Sequence, residues 1–232
     1  MGGNALGHGR YSWLMTTTSS NTGLRLLLLG ATGAVGTQVL TLALADQRIA
    51  QITAPTRRPL AIKSKSLNNP VVDFQQDLSA ADWLEADGVV CALGSTIREA
   101  GSQAAFAFVD RDLPIRFATW AKQRGALSFA LNSSLGASAR GNFYLRTKAE
   151  AEAAIAGLGY VSYTVVRPSL IDAERPKARP GEVLGNAIGK IFRPLIPARY
   201  RPVSAMLIAK ALLEAAVQGK AGHHVIESEA LR

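Results

Sequence analysis

Leu24-Arg25-Leu26-Leu27-Leu28-Leu29-Gly30-Ala31-Thr32-Gly33-Ala34-Val35-Gly36 is the stretch that decides how this chain is read. A run of strand length, apolar except for Arg25, ends in glycines at 30, 33 and 36, and Val35, Val39, Leu40, Ala43 and Leu44 then recur at helical period. Glycines in a strand-to-helix turn allow a tight bend, close approach of backbone N–H groups to a pyrophosphate, and close packing of the helix on the strand. The helix N-terminus supplies the anion site, so Gly30, Thr32, Gly33, Ala34, Val35 and Gly36 are the expected cradle of a dinucleotide.

Outward from this turn, further strand-length runs at 50–54, 71–74, 88–93, 128–132, 162–166 and 224–227 alternate with stretches of helical period. Phe117, Trp120 and Ala121 mark one cover helix; Ala149, Ala153 and Ile155 mark another more loosely. The alternation predicts an α/β fold, a Rossmann-type doubly wound parallel sheet with helices on both faces. Between Pro168 and Pro202 the texture changes to six prolines and many basic residues, which reads as a small C-terminal substrate-side lobe over 168–202. The expected organisation is a disordered leader over 1–22, with Met15 an alternative start, followed by one domain over 23–232.

Composition narrows the function. Apolar residues make up 48% and charged residues 19% of 232, the balance of a folded protein. The 26 basic residues exceed the 17 acidic ones, and the formal charge of +9 suits an anionic ligand or an acidic partner surface. Nucleic acid is not expected, because aromatic residues are sparse in the basic stretch and no recognition motif accompanies it. No apolar run approaches the roughly 20 residues of a membrane span. Cys91 alone excludes a disulfide framework, and with three scattered histidines it offers no metal-ligand spacing; His223 and His224 point to opposite faces of a strand. A single cysteine and a leader without an apolar core fit a reducing compartment, read as cytoplasmic.

Where an acidic residue would bind an NAD ribose, after the second strand, Thr56-Arg57-Arg58 stands instead. A guanidinium matches a phosphate and stacks on adenine, so Arg57 and Arg58 predict NADP(H); the alternative is two solvated loop arginines. Asp73 and Phe74, closing the third strand, suit the adenine amino group and ring, or else an ordinary helix cap. Leu93, Gly94 and Ser95 follow the fourth strand, where small residues let the backbone pass close to the cofactor, and Cys91 reads as an inert core thiol. Asn132-Ser133-Ser134 closes the fifth strand, and Tyr144 and Lys148 share a helix face at a spacing of four. An ammonium beside a phenol favours the phenolate, and a serine hydroxyl can hold the same substrate oxygen. Ser134 is the expected serine, with Ser133 in reserve and as a cofactor contact.

These residues resemble the short-chain dehydrogenase/reductase superfamily, in its atypical branch. Val109-Asp110-Arg111-Asp112, Asn142-Phe143-Tyr144, Val166-Arg167-Pro168-Ser169 and Arg179-Pro180-Gly181-Glu182 extend the resemblance to the Tat-interacting-protein-like oxidoreductases, from about Leu24 to about Val217. The resemblance implies NADPH binding, a Ser134–Tyr144–Lys148 site, and a loop of Pro168, Ser169, Leu170 and Ile171 over the nicotinamide. Ser169 stands where relatives often carry glycine, and Asp110 where the main branch carries an asparagine. The expected function is hydride transfer to a small carbonyl compound. The alternative is an NADPH-binding regulatory module that engages a protein partner, since family members are also described as regulators. A nucleotide-sugar epimerase or dehydratase would need a larger C-terminal domain than the approximately 60 residues after Pro168.

Overall fold

Along β1 (Leu24–Leu29), Leu26 and Leu28 point to one side and Leu27 and Leu29 to the other, and all four are buried. A strand hidden on both faces has to lie inside a sheet covered by helices on both sides. The computed structural model, which describes residues 23–172 and 197–231, has that sheet. Its other strands are β2 (Ile49–Thr53), β3 (Leu67–Asn68), β4 (Gly88–Cys91), β5 (Ser128–Asn132), β6 (Ser162–Arg167) and, after a short parallel pair of β7 (Ile171–Asp172) with β8 (Val203–Ser204), β9 (Gly222–Glu227). Seven strands pair in parallel in the order β3-β2-β1-β4-β5-β6-β9. The order reverses at β1, which opens a crevice beyond the carboxyl ends of β1 and β4, where ligands bind in such sheets.

Helices α1 (Ala34–Ala45), α2 (Ile97–Ala100), α3 (Gln103–Ala107), α4 (Leu113–Gln123), α5 (Phe143–Ala156) and α6 (Ala205–Gln218) divide between the faces. On one, Val39 and Leu40 of α1 and Ile208 and Leu212 of α6 pack with Leu26, Leu28, Ile52 and Val90. On the other, Phe117 and Ala121 of α4 and Ile155 of α5 pack with Leu27, Leu29, Val89 and Phe129. Between α3 and α4 the helix widens into a π-helical turn at Phe108–Asp112.

Two expectations change. The third strand was expected at 71–74, but the hydrogen-bonded pairs are Ile52 with Leu67 and Thr53 with Asn68, and Val71 makes only an isolated bridge to Thr56. Pro70 brings no N–H to the ladder, and the Asn69 side chain donates to Ala54 O at 2.6 Å and Thr56 Oγ1 at 2.8 Å. The apolar pair Val71-Val72 therefore lies at a sheet edge, with Val71 54% exposed. Helix α5 buries Lys148, Ala151, Glu152 and Ile155, not the face of Ala149 and Ala153. The expected leader over 1–22 and residues 173–196 of the expected lobe lie outside the described residues.

The glycine turn is set by close backbone contacts. Gly30 has φ +85°, and a Cβ there would sit 2.7 Å from the Ala92 carbonyl. A Cβ on Gly36 would fall 1.9 Å from Gly30 O, whereas one on Gly33 meets nothing closer than that oxygen at 3.4 Å. Gly36→Ala is expected to lower unfolding stability in urea by about 3 kcal/mol or more, as an overpacked site with immobile neighbours. Gly33→Ala should cost under about 1 kcal/mol in the same titration.

Candidate functional site

The crevice at the head of β1 and β4 is a cleft of about 880 Å³. Gly30, Thr32 and Gly33 line its floor together with Leu93, Gly94 and Ser95, which follow the neighbouring, hydrogen-bonded strand β4. Ala34, Val35 and Gly36 start α1 behind this floor, with Val35 and Gly36 buried. Among the described residues no side chain caps α1, and its first turn holds no acidic residue, so its positive end is open to an anion. Gly33 lines the cleft and lacks a Cβ that the protein itself would tolerate, which is the room a phosphate needs.

Arg57 lines the cleft, while Arg58 does not; both are exposed and neither makes an ion pair among the described residues. Thr56 Oγ1 donates to Arg58 O at 2.6 Å and fixes the backbone between them. Asp73 and Phe74 line the far end. Asp73 Oδ1 accepts from Gln75 N at 2.9 Å and so caps a turn, and Phe74 packs edge-on against Phe117 at 5.9 Å. A polyanionic cofactor with an adenine fits these residues.

Tyr144 and Lys148 lie on α5, whose start is set by Asn142 Oδ1 accepting from Leu145 N at 3.0 Å. The half-buried Tyr144 ring packs against Phe106 at 5.2 Å. Lys148 is buried one turn further on, and its Nζ lies 2.8 Å from Asp110 Oδ1. Asp110 Oδ2 in turn accepts from Ser95 N at 2.9 Å and Ser95 Oγ at 2.8 Å. Burial pushes the Lys148 ammonium toward losing its proton, but the charges of Asp110 and Tyr144 and the Asp110 hydrogen bond outweigh it and hold the group above the ordinary lysine value. Burial also pushes the Cys91 thiol up to about 12, which makes it the inert core thiol expected of it.

Ser133 Oγ donates to the buried carboxylate of Glu152, which Arg167 grips with two hydrogen bonds, at 3.1 and 2.6 Å. Arg167 also reaches Glu227 at 3.1 Å. Ser133 is thereby committed to the protein. Ser134, half-buried, has only a 3.5 Å contact from its Oγ to Leu135 O among the described residues. Neither Ser134 nor Tyr144 lines the 880 Å³ cleft; the link to it is Gly94, where a Cβ would lie 3.8 Å from Lys148 Nζ. Pro168 O accepts from Leu135 N at 2.8 Å, joining the loop after β6 to the one after β5. Ser169 N donates to Ser228 Oγ at 3.2 Å, and no non-glycine residue among those described has a positive φ, so serine costs no backbone strain there. Leu170 and Ile171 are exposed.

Two functional groups escaped the sequence reading in their roles. Asp110 is the partner of Lys148, and Glu152 is the anchor of Ser133 and Arg167. Glu152 follows Lys148 by four residues and so shares its helix face, and Asp110 is a charge amid Phe106, Val109 and Leu113; those were the available signals. His223 stacks on Tyr163 at 4.8 Å, and His224 Nε2 reaches the Ala221 carbonyl at 3.0 Å. The Lys148–Asp110 pair has a definite pH signature. Because the folded lysine is held above its unfolded value, its contribution is complete below about pH 10 and is lost as pH rises through the folded value. Urea midpoints that differ between wild type and Lys148→Met at pH 7 to 9 should converge as pH rises through the folded lysine value.

Comparison with known proteins supports the dinucleotide-binding fold. The NAD(P)H-binding family matches residues 30–191. Protein HTATIP2 of Rattus norvegicus is 36% identical over 164 residues, 68% of this chain and 67% of that protein. The mitochondrial protein fmp52 of Emericella nidulans is 30% identical over 181 residues, 72% of this chain and 77% of that protein. The structure of MoeE5 in complex with UDP-glucose and NAD superposes with a TM-score of 0.65 at 17% identity, over 90% of this chain and 79% of that one, which shows the shared fold. Among the described residues no helix is long and apolar enough to cross a membrane. The fungal relative corrects the expectation of a cytoplasmic protein, since it is named as mitochondrial. A lone cysteine marks a reducing environment without separating one such compartment from another. The chain belongs to the NAD(P)H-binding family, within the atypical short-chain dehydrogenase/reductase group.

Proposed function

We propose that residues 23–232 act as one NADPH-dependent oxidoreductase unit that reduces a small carbonyl compound. The observation that carries this reading is the division of labour on α5 and the loop after β5: Lys148 is buried beside Tyr144 as a charged group, Ser133 is tied to Glu152, and among the described residues the Ser134 hydroxyl has only its long contact to Leu135 O. Bound NADPH would supply the hydride. Tyr144 Oη–H donates its proton to the carbonyl oxygen as that oxygen gains charge, and Ser134 Oγ–H donates a hydrogen bond to the same oxygen. The Lys148 ammonium stabilises the phenolate left on Tyr144.

At the other end, Gly30, Thr32 and Gly33 with the start of α1 hold the pyrophosphate, and Asp73 and Phe74 take the adenine. Arg57, which lines the cleft, grips the 2′-phosphate with the neighbouring exposed Arg58 in support, which is the basis for choosing NADPH over NADH. The segment from Pro168 to Ile171, anchored at Leu135 and Ser228, closes over the nicotinamide. A second reading, a cofactor-gated module that binds a protein partner with little turnover, is favoured by Leu170, 72% exposed within the anchored loop. The two readings share the cofactor and part at Tyr144.

Saturating NADPH, at about 100 times its dissociation constant, should add about 2.7 kcal/mol of stability, read as a thermal shift. The shift should exceed that with NADH, and it should shrink in the Arg57→Ala, Arg58→Ala variant and in Gly33→Ala. Equal shifts with both cofactors, unchanged by the arginine substitutions, would remove the phosphate-reading role. Tyr144→Phe should keep the NADPH shift and lose about 10²- to 10⁴-fold in carbonyl reduction. A full rate in that variant, or partner capture that survives it with no turnover in wild type, would favour the binding module.

A further inference from the structure

We propose that Asp110 is a positioning residue for this site: presented by the π-helical turn Phe108–Asp112, it keeps Lys148 both charged and fixed beside Tyr144. The inference rests on the oxidoreductase reading for its catalytic meaning, but its claim about Lys148 stands on geometry alone.

An ammonium removed from water loses its proton unless a counter-charge is held against it. Lys148 is such a group, since its side chain is buried and its Nζ meets Asp110 Oδ1 at 2.8 Å. Asp110 is buried more completely still, and it is held from the opposite side by two donors, Ser95 N and Ser95 Oγ, both on Oδ2. One oxygen faces the lysine and the other is tethered to the loop after β4, so the carboxylate cannot turn away. Ser95 and Gly94 line the cofactor cleft, which makes the tether part of the cleft wall.

The wide turn explains why this aspartate reaches the site. Within Phe108–Asp112, Asp110 is buried, whereas the next residue, Arg111, turns outward to Asp112 at 2.7 Å and Glu150 at 2.8 Å. π-helical turns concentrate at functional sites because they re-aim one side chain without ending the helix. The other groups facing Lys148 do not substitute for Asp110. Tyr144, on the same helix, is the group to be served. Cys91 on β4 is a buried thiol with its ionisation pushed up, and Glu152, one turn on, is occupied by Arg167 and Ser133.

The consequence is a specific pH behaviour. With Asp110→Asn the counter-charge is gone while the burial remains, so Lys148 should lose its proton at a lower pH and Tyr144 should then lack its cation. Activity should survive only on the acid side, below the new lysine midpoint.

The test is a titration of the full chain labelled with ¹³C at lysine Cε, with the Lys148 resonance identified by its loss in Lys148→Met. In wild type the resonance should stay in its ammonium position to at least about pH 10; in Asp110→Asn its midpoint should fall by at least about one pH unit, a tenfold loss of proton affinity. Ser95→Ala, which removes one tether and leaves the pair, should move it the same way by less, and it serves where Asp110→Asn does not fold. A Lys148 midpoint unmoved in folded Asp110→Asn, or in Ser95→Ala where that variant stands in, overturns the proposal. With a carbonyl substrate, the alkaline limb of kcat should move down with the midpoint while KM for NADPH changes less than about threefold; equal losses at every pH would mark a merely structural role. Absence of carbonyl reduction by wild type sinks the oxidoreductase reading and leaves the titration result intact.

Discussion

The close approach of three stretches of backbone, at Gly30, Gly36 and Ala92, is the constraint from which the rest of the structure follows. Gly30 adopts a φ of +85° and lies so near the Ala92 carbonyl that no side chain fits, while Gly36 lets α1 come down onto the Gly30 oxygen. This contact sets the spacing between β1, β4 and the first helix at the same time. Because the strand order reverses at β1, it also sets the mouth of the cleft, so one steric requirement fixes both the fold's centre and the place where an anion meets a helix end.

Helix α5 is built on a different principle. Its inward face alternates charge with small apolar residues: Lys148 pairs with Asp110, and Glu152 with Arg167 and Ser133, around Ala151 and Ile155. Burying charges is expensive, and a hydrophobic helix of the same volume would serve stability as well or better. What the charged face provides is definition. Each pair has one satisfactory geometry, and together they fix the loop after β5, the loop after β4 and the end of β6 relative to the helix that carries Tyr144. The serine next to Glu152 is consumed in that construction, while among the described residues its neighbour Ser134 keeps only a 3.5 Å contact to Leu135 O.

The same charges explain which parts of the molecule were hard to read. Strands β1, β2, β4, β5 and β6 and helices α1 and α4 announce themselves by local period, because each buries an apolar stripe or both faces of a strand. Helix α5 hides much of its buried face behind lysine and glutamate, so apolar period found Ile155 but pointed to Ala149 and Ala153 in place of Lys148, Ala151 and Glu152. The third strand was displaced for a related reason: β3 is two residues long at the sheet edge, where the Asn69 side chain takes over backbone hydrogen bonds and a more apolar run, Val71-Val72, lies beyond it. The location, read from a single cysteine and a leader without an apolar core, was corrected by a relative named as mitochondrial.

By itself the sequence determined the strand–turn–helix unit, the parallel α/β architecture, the nucleotide-binding turn and the placing of Tyr144 and Lys148 one turn apart on the same helix, because all of these follow from backbone sterics and local periodicity. Only the tertiary structure decided that Asp110 and not Asp112 faces Lys148, that Ser133 and not Ser134 is spent on Glu152, and that Arg57 rather than Arg58 lines the cleft. Those choices depend on contacts between segments far apart along the chain and on a helical turn one residue too wide, and neither has a local signature.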